Sequence, residues 1–140
     1  MHSDPGYQRR RTAALGLFLA AVLCSCAGLG PVLYRTYEAA AYPGATVIAD
    51  QTLTRYTPNL VVRRNTVYRS ADRFDQIYNW YSVNFTLGPE SYAQSNCILM
   101  AKSVTTGWIF DEQMSVTVCH TPKDQMMFVM RSVMFRYPSW

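Results

Sequence analysis

Residues 72–84, DRFDQIYNWYSVN, contain the strongest helical pattern in the sequence. Large apolar side chains recur there at the spacing i, i+3, i+4 and i+7, which places them along one side of a helix. These side chains are Phe74, Ile77, Tyr78 and Tyr81. Asp72 or Ser70 is a suitable residue to cap the first turn. The pattern predicts one amphipathic helix that packs on a core.

Segments rich in strand-forming residues lie on both sides of this helix. They are Ala45–Leu53, Leu60–Arg69, Cys97–Val104, Gly107–Phe110, Met114–His120 and Met126–Tyr137. Leu60–Arg69 has arginine on both of its faces, which predicts an edge strand. The last segment is apolar on both faces over residues 126–130, which predicts a central strand. Asp111 and Glu112 fall between two predicted strands and are expected in a solvated turn.

This order of elements predicts an α+β fold for residues 45–140, with a small antiparallel sheet of about five strands and one packed helix. The 96 residues of this region are enough for one modest hydrophobic core. The whole chain has 140 residues and 49% apolar content, which excludes a large barrel enzyme and wholesale disorder.

Residues 13–33, AALGLFLAAVLCSCAGLGPVL, form an uncharged apolar run that precedes this domain. As a helix, 21 residues are about 31 Å long, close to the thickness of the hydrocarbon core of a bilayer. Arg9, Arg10 and Arg11 lie directly before the run and favour a cytoplasmic N-terminus. The sequence therefore predicts a cytoplasmic basic tail (residues 1–12), a membrane segment (13–33), a stalk or linker (34–44) and an extracytoplasmic domain (45–140).

Three interpretations of residues 13–33 compete. The first is an uncleaved transmembrane helix, which gives a single-pass protein of the cell membrane. The second is a lipoprotein signal peptide, because Leu23 and Ser25 before Cys26 approximate a lipobox and would make Cys26 the lipid attachment point. The third is ordinary signal cleavage, for example after Ala27. All three place the domain outside the cytoplasmic membrane.

The net charge of +4 does not indicate a nucleic-acid-binding protein. From residue 35 onward the chain has ten basic and eight acidic residues, so half of the surplus lies in the short N-terminal tail and the rest of the chain is close to balanced. A phosphate-binding surface usually needs a denser cationic field than this. The membrane and a protein partner in the envelope are the expected contacts.

The four cysteines provide one candidate covalent link. Cys97 and Cys119 lie in the predicted outer domain, where an oxidising compartment permits a disulfide. The alternative is two buried thiols on unrelated strands. Together with His120 they are too few for a zinc site, and adjacent side chains on a strand point to opposite faces, which disfavours a catalytic Cys119–His120 pair.

No other pattern of catalytic, metal-binding or cofactor-binding residues is present in the sequence. The clustered aromatic residues are consistent with core packing or with a partner surface. Met126, Met130 and Met134 share one face of the last strand and are expected to fill the core.

These observations predict a membrane-anchored, non-enzymatic protein whose outer domain binds a partner protein or an envelope component. The alternatives are a structural or assembly subunit of an envelope complex and a small thiol-dependent redox protein. The layout resembles that of small bacterial envelope proteins with an N-terminal anchor and one compact outer domain.

Overall fold

The computed structural model describes residues 30, 34, 38, 40–88, 92–94, 96–106 and 109–137. The chain divides into two compact units, residues 1–35 and 36–140. In the second unit, one helix, α1 (Phe74–Phe85), is described together with six strands. The strands are β1 (Thr46–Arg55), β2 (Leu60–Ser70), β3 (Tyr92–Gln94), β4 (Cys97–Thr106), β5 (Phe110–His120) and β6 (Gln125–Phe135). The predicted α+β architecture is confirmed.

The strands form one sheet in the order β1-β2-β6-β5-β4-β3, with antiparallel pairing throughout. The last strand, β6, lies centrally between β2 and β5, as its two apolar faces predict. The prediction that β2 is an edge strand is wrong, because β1 pairs along its outer side. The arginines of β2 therefore do not protect an edge, and the edge is β1.

Two further predictions about strands are corrected. A single strand, β5, runs from Phe110 to His120 in place of two shorter ones. Asp111 and Glu112 lie within this strand, and Asp111 is 5% exposed rather than part of a solvated turn. Between the helix and Cys97, where the sequence predicts no strand, lies the three-residue strand β3. The sheet thus has five long strands and one short edge strand, in agreement with the prediction of about five strands.

The helix α1 packs on one face of the sheet through the predicted stripe. Ile77 and Tyr81 are fully buried. They contact a core formed by side chains of β2, β4, β5 and β6. The core residues from these strands are Tyr68, Met100, Val116, Val118, Met127 and Val129. The cap differs from the prediction: Arg73 is the N-cap residue, and its backbone N–H donates to the side chain of Gln76.

The buried unit extends toward the N-terminus beyond Ala45, where the sequence predicts its start. Ala40 is 3% exposed and belongs to the core, and its carbonyl accepts a hydrogen bond from the Tyr81 hydroxyl at 2.8 Å. Burial raises the pKa of Tyr81, so the phenol stays protonated and able to donate. This bond holds the segment before β1 against the middle of α1.

Among the described residues, no helix is long and apolar enough to cross a membrane. The predicted membrane segment, residues 13–33, lies outside the described residues except for Gly30. Arg9, Arg10, Arg11 and Cys26 also lie outside them.

The Tyr81 hydroxyl provides a test of this packing. We expect Tyr81→Phe to lower the free energy of unfolding by about 1 kcal/mol, because the buried Ala40 carbonyl then loses its donor. The measurement is urea unfolding followed by tryptophan fluorescence. Tyr78→Phe is the matched control, since the Tyr78 hydroxyl has no hydrogen-bond partner among the described residues. Equal effects of the two variants would contradict the assigned bond.

Candidate functional site

The register of the strands divides their side chains between two faces of the sheet. Tyr68, Met127 and Val118 lie opposite one another across β2, β6 and β5, and all three contact the core beneath α1. Successive residues of a strand point to opposite faces, so the residues that alternate with these lie on the other face. We call this second surface the open face. Its central members are Leu53, Val61, Arg63, Asn65, Val67, Arg69, Met126, Phe128, Met130, Ser132 and Met134.

The centre of the open face is apolar. Phe128 lies opposite Val67 and is 42% exposed, and Leu53 of β1 is 47% exposed. Met126 and Met130, on either side of Phe128 along β6, are half-buried. No described helix packs over these side chains. The prediction that Met126, Met130 and Met134 fill the core is therefore corrected, because the methionine of this strand that lies beneath α1 is Met127.

Three arginines lie on the open face beside these apolar side chains. Arg63 and Arg69 are exposed on β2, and Arg55 is exposed on β1. Within the described part of the chain, Arg55 and Arg63 form no ion pair. Arg69 has one, in which its Nε atom lies 3.5 Å from Oδ2 of Asp124. An exposed ion pair at this distance contributes little free energy and exchanges readily with another partner.

The described open-face positions contain one acid, Asp111, and its negative charge is already balanced by an ion pair with Arg136. Its carboxylate accepts hydrogen bonds from the Thr105 hydroxyl at 2.9 Å and from the Arg136 guanidinium at 2.6 Å. The Thr105 hydroxyl, followed by Arg136, lowers the pKa of Asp111 below its ordinary value, so the carboxyl is ionised at neutral pH. The open face therefore combines an apolar centre with a net positive charge.

On the opposite face, which carries α1, the arginines are matched by acids. Arg64 donates from Nε and Nη2 to the two oxygens of Asp50, at 2.9 and 2.6 Å. Arg131 lies opposite Arg64 across β2 and β6, over the ring of Phe85 and 3.9 Å from Glu38. The cavity between them is about 10 Å³, room for about one water molecule. This cluster is a partly exposed group of ion pairs with little space between them for a ligand.

Cys97 and Cys119 form a disulfide on the open face, with an S–S distance of 2.05 Å and 4.0 Å between their Cα atoms. They are directly opposite one another in the β4–β5 ladder. The backbone N–H of His120 donates to the Asn96 carbonyl, so the cysteines occupy the next, non-hydrogen-bonded position, where facing side chains come closest. The pairing left open by the sequence is present in the structure.

The remaining candidates for chemistry are not brought together. His120 is exposed at the end of β5, and its Nδ1 atom hydrogen-bonds the side chain of Gln125. In the described ranges, no group of three or more His, Cys, Asp or Glu side chains is arranged to hold a metal ion.

The second exposed feature is the edge strand β1. All ten residues of β1 are exposed, and its inner side pairs with β2. Large apolar side chains on it are 47% to 54% exposed: Val47, Ile48 and Leu53. A long exposed edge strand presents unpaired backbone donors and acceptors to an additional strand.

Reasoning from the sequence missed the open face. The relevant signal is that Val61, Arg63, Asn65, Val67 and Arg69 alternate along one side of β2. That pattern locates a surface only when the register shows that this side faces Met126, Phe128 and Met130. Comparisons of the chain with protein-family models, with curated proteins and with solved structures find no match.

The disulfide gives a direct prediction for the purified full chain. Cys97 and Cys119 should resist thiol alkylation before reduction and react fully after it. The Cys97→Ser/Cys119→Ser variant should lose about 3 kcal/mol of unfolding free energy, the cost expected for a link across 22 residues. Intact mass and urea unfolding are the measurements. Ready alkylation of Cys97 and Cys119 without reduction would contradict the assignment.

Proposed function

We propose that this protein is a membrane-tethered, extracytoplasmic, non-enzymatic binding protein whose open face docks a partner protein. The observation that carries the proposal is the apolar and arginine-bearing surface centred on Phe128, over which no described helix packs. Exposed apolar side chains beside arginine are typical of the centre of a protein interface. Monomeric proteins rarely leave a continuous apolar surface without a partner.

Two observations support an extracytoplasmic location. The uncharged run of residues 13–33 follows Arg9, Arg10 and Arg11, which is the charge asymmetry of a membrane segment with a cytoplasmic N-terminus. The Cys97–Cys119 disulfide is of a kind that persists in oxidising compartments outside the cytoplasm. Retention of residues 13–33 as a helix, or lipidation at Cys26, would tether the domain to the membrane.

The proposal predicts that a charge at the centre of the open face abolishes partner binding. We expect the full chain, extracted from native membranes in mild detergent, to migrate as a complex in native electrophoresis. Phe128→Glu should reduce it to the size of the free chain, because a buried carboxylate without a partner would be costly in the interface.

Val83→Glu is the matched control, since Val83 is 77% exposed on α1, which packs on the other face. It introduces the same charge on a different surface and should leave the complex intact. Identical migration of the two variants would contradict docking through the open face.

The exposed edge of β1 favours a second candidate function, that of a structural or assembly subunit of an envelope complex. Strand addition at such an edge satisfies the outward backbone groups of β1 with those of another chain. The apolar side chains Val47, Ile48 and Leu53 would lie at the junction.

Amide hydrogen exchange along β1 separates the two functions. If β1 is a free edge in the assembled protein, alternate amides of Ala49–Arg55 should exchange slowly, because alternate residues bond to β2. If another strand is added, every amide of this segment should be slow. The comparison is between the membrane-bound and the purified full chain, and β6 is the control because it is paired on both sides.

A further inference from the structure

We propose that the partner segment docked on the open face is an acidic amphipathic helix. This inference rests on the proposed function and adds the chemistry of the partner to it. The arrangement of the arginines about the apolar centre determines both the charge of the occupant and its approximate length.

The apolar centre lies between two arginines along the strand direction. Arg63 and Arg69 are six residues apart on the same face of β2, a separation of about 20 Å. Between them, Val67 faces Phe128 and Asn65 faces Met130. An occupant that covers this row needs apolar side chains in the middle and carboxylates near both ends.

An α-helix lying along β2 and β6 meets this requirement. At about 1.5 Å per residue, about 13 residues of helix span the distance between the two arginines. A helix on the open face would place a second helical layer on the sheet, opposite α1, and would remove the apolar centre from water. Methionine side chains adapt to the ridges of such a helix, because they are unbranched and flexible.

Charge complementarity determines the sign of the charge on the occupant. The carboxylate of Asp111 is held by Thr105 and Arg136, so no described acid on the open face competes for Arg63. Arg69 can exchange Asp124, at 3.5 Å, for a carboxylate of the partner. A basic segment would meet Arg55, Arg63 and Arg69 at once and would be repelled.

The shape of the surface favours a protein segment over a lipid surface. Binding to a bilayer surface buries apolar side chains among the headgroups and acyl chains, which requires side chains that project beyond their surroundings. Met126, Met130 and Met134 are half-buried within the sheet face, and Phe128 at the centre is 42% exposed. Such a face excludes water only against a partner of matching shape.

The test uses two synthetic helical peptides of about 14 residues. One has leucine along the middle of one side and glutamate near both ends of that side, and the second has lysine in place of each glutamate. Binding of each labelled peptide to the full chain in zwitterionic nanodiscs is measured by fluorescence anisotropy at two salt concentrations. We expect the leucine–glutamate peptide to bind at least about tenfold more tightly than the lysine peptide, and less tightly at high salt.

The variant Arg63→Glu/Arg69→Glu should reverse this preference. Arg73→Glu is the matched control, because the Arg73 side chain is 79% exposed at the start of α1, outside the open face. It should bind both peptides as the unmodified chain does. Equal binding of the two peptides, or an equal effect of the control, would overturn the inference.

Vesicles of anionic phospholipid provide the remaining arm of the test. If vesicles bind in an Arg63- and Arg69-dependent manner and the leucine–glutamate peptide does not bind, the occupant is a lipid surface and the inference is wrong. Failure of the proposed function is distinguishable from this result. It would appear as an intact native complex in the Phe128→Glu variant, whereas a wrong partner chemistry leaves that complex sensitive to the substitution.

Discussion

The packing of Ile77 and Tyr81 of α1 onto one face of the sheet is the interaction on which the rest of the structure depends. Both side chains are fully buried, and Tyr81 also holds the segment at Ala40 through its hydroxyl. Among the described residues, a helix covers only the face of the sheet that lies beneath α1. The apolar side chains of β6 on the other face, with Phe128 at their centre, therefore remain accessible. The binding surface that we propose is a direct consequence of this one-sided core.

The two faces also differ in how their arginines are neutralised. On the face that carries α1, Arg64 is held by both oxygens of Asp50, which balance its charge. On the open face, Arg63 has no acid within ion-pair distance among the described residues. The same residue type thus stabilises the fold on one side of the sheet and presents positive charge on the other. This difference explains how a domain with nearly equal numbers of basic and acidic residues has one positively charged face.

Local sequence patterns predict the elements whose periodicity is unambiguous. The stripe of α1 and the central position of β6 follow from side-chain spacing and from two apolar faces. Because β6 is apolar on both faces, its sequence does not show which face lies beneath the helix. The alternation of side chains cannot distinguish Met127, which lies beneath α1, from Met126, which does not. Asp111 falls between two predicted strands, and the sequence therefore predicts a turn there. Its partner, Arg136, lies 25 residues away and is found only through tertiary structure. The open face is likewise formed by pairing between β2 and β6, which are far apart in the sequence.

Methionine oxidation is the most direct test of whether a partner covers the open face, because both faces of the sheet contain methionines. Met126, Met130 and Met134 lie on the open face, whereas Met100 and Met127 are fully buried beneath α1 and are internal controls. Mild peroxide treatment followed by peptide mass spectrometry compares the purified full chain with the protein in intact cells that produce it. We predict that the open-face methionines oxidise in the purified chain and are protected in cells, and that the controls oxidise little in either sample. Equal oxidation of the open-face methionines in both samples would show that no partner covers the open face.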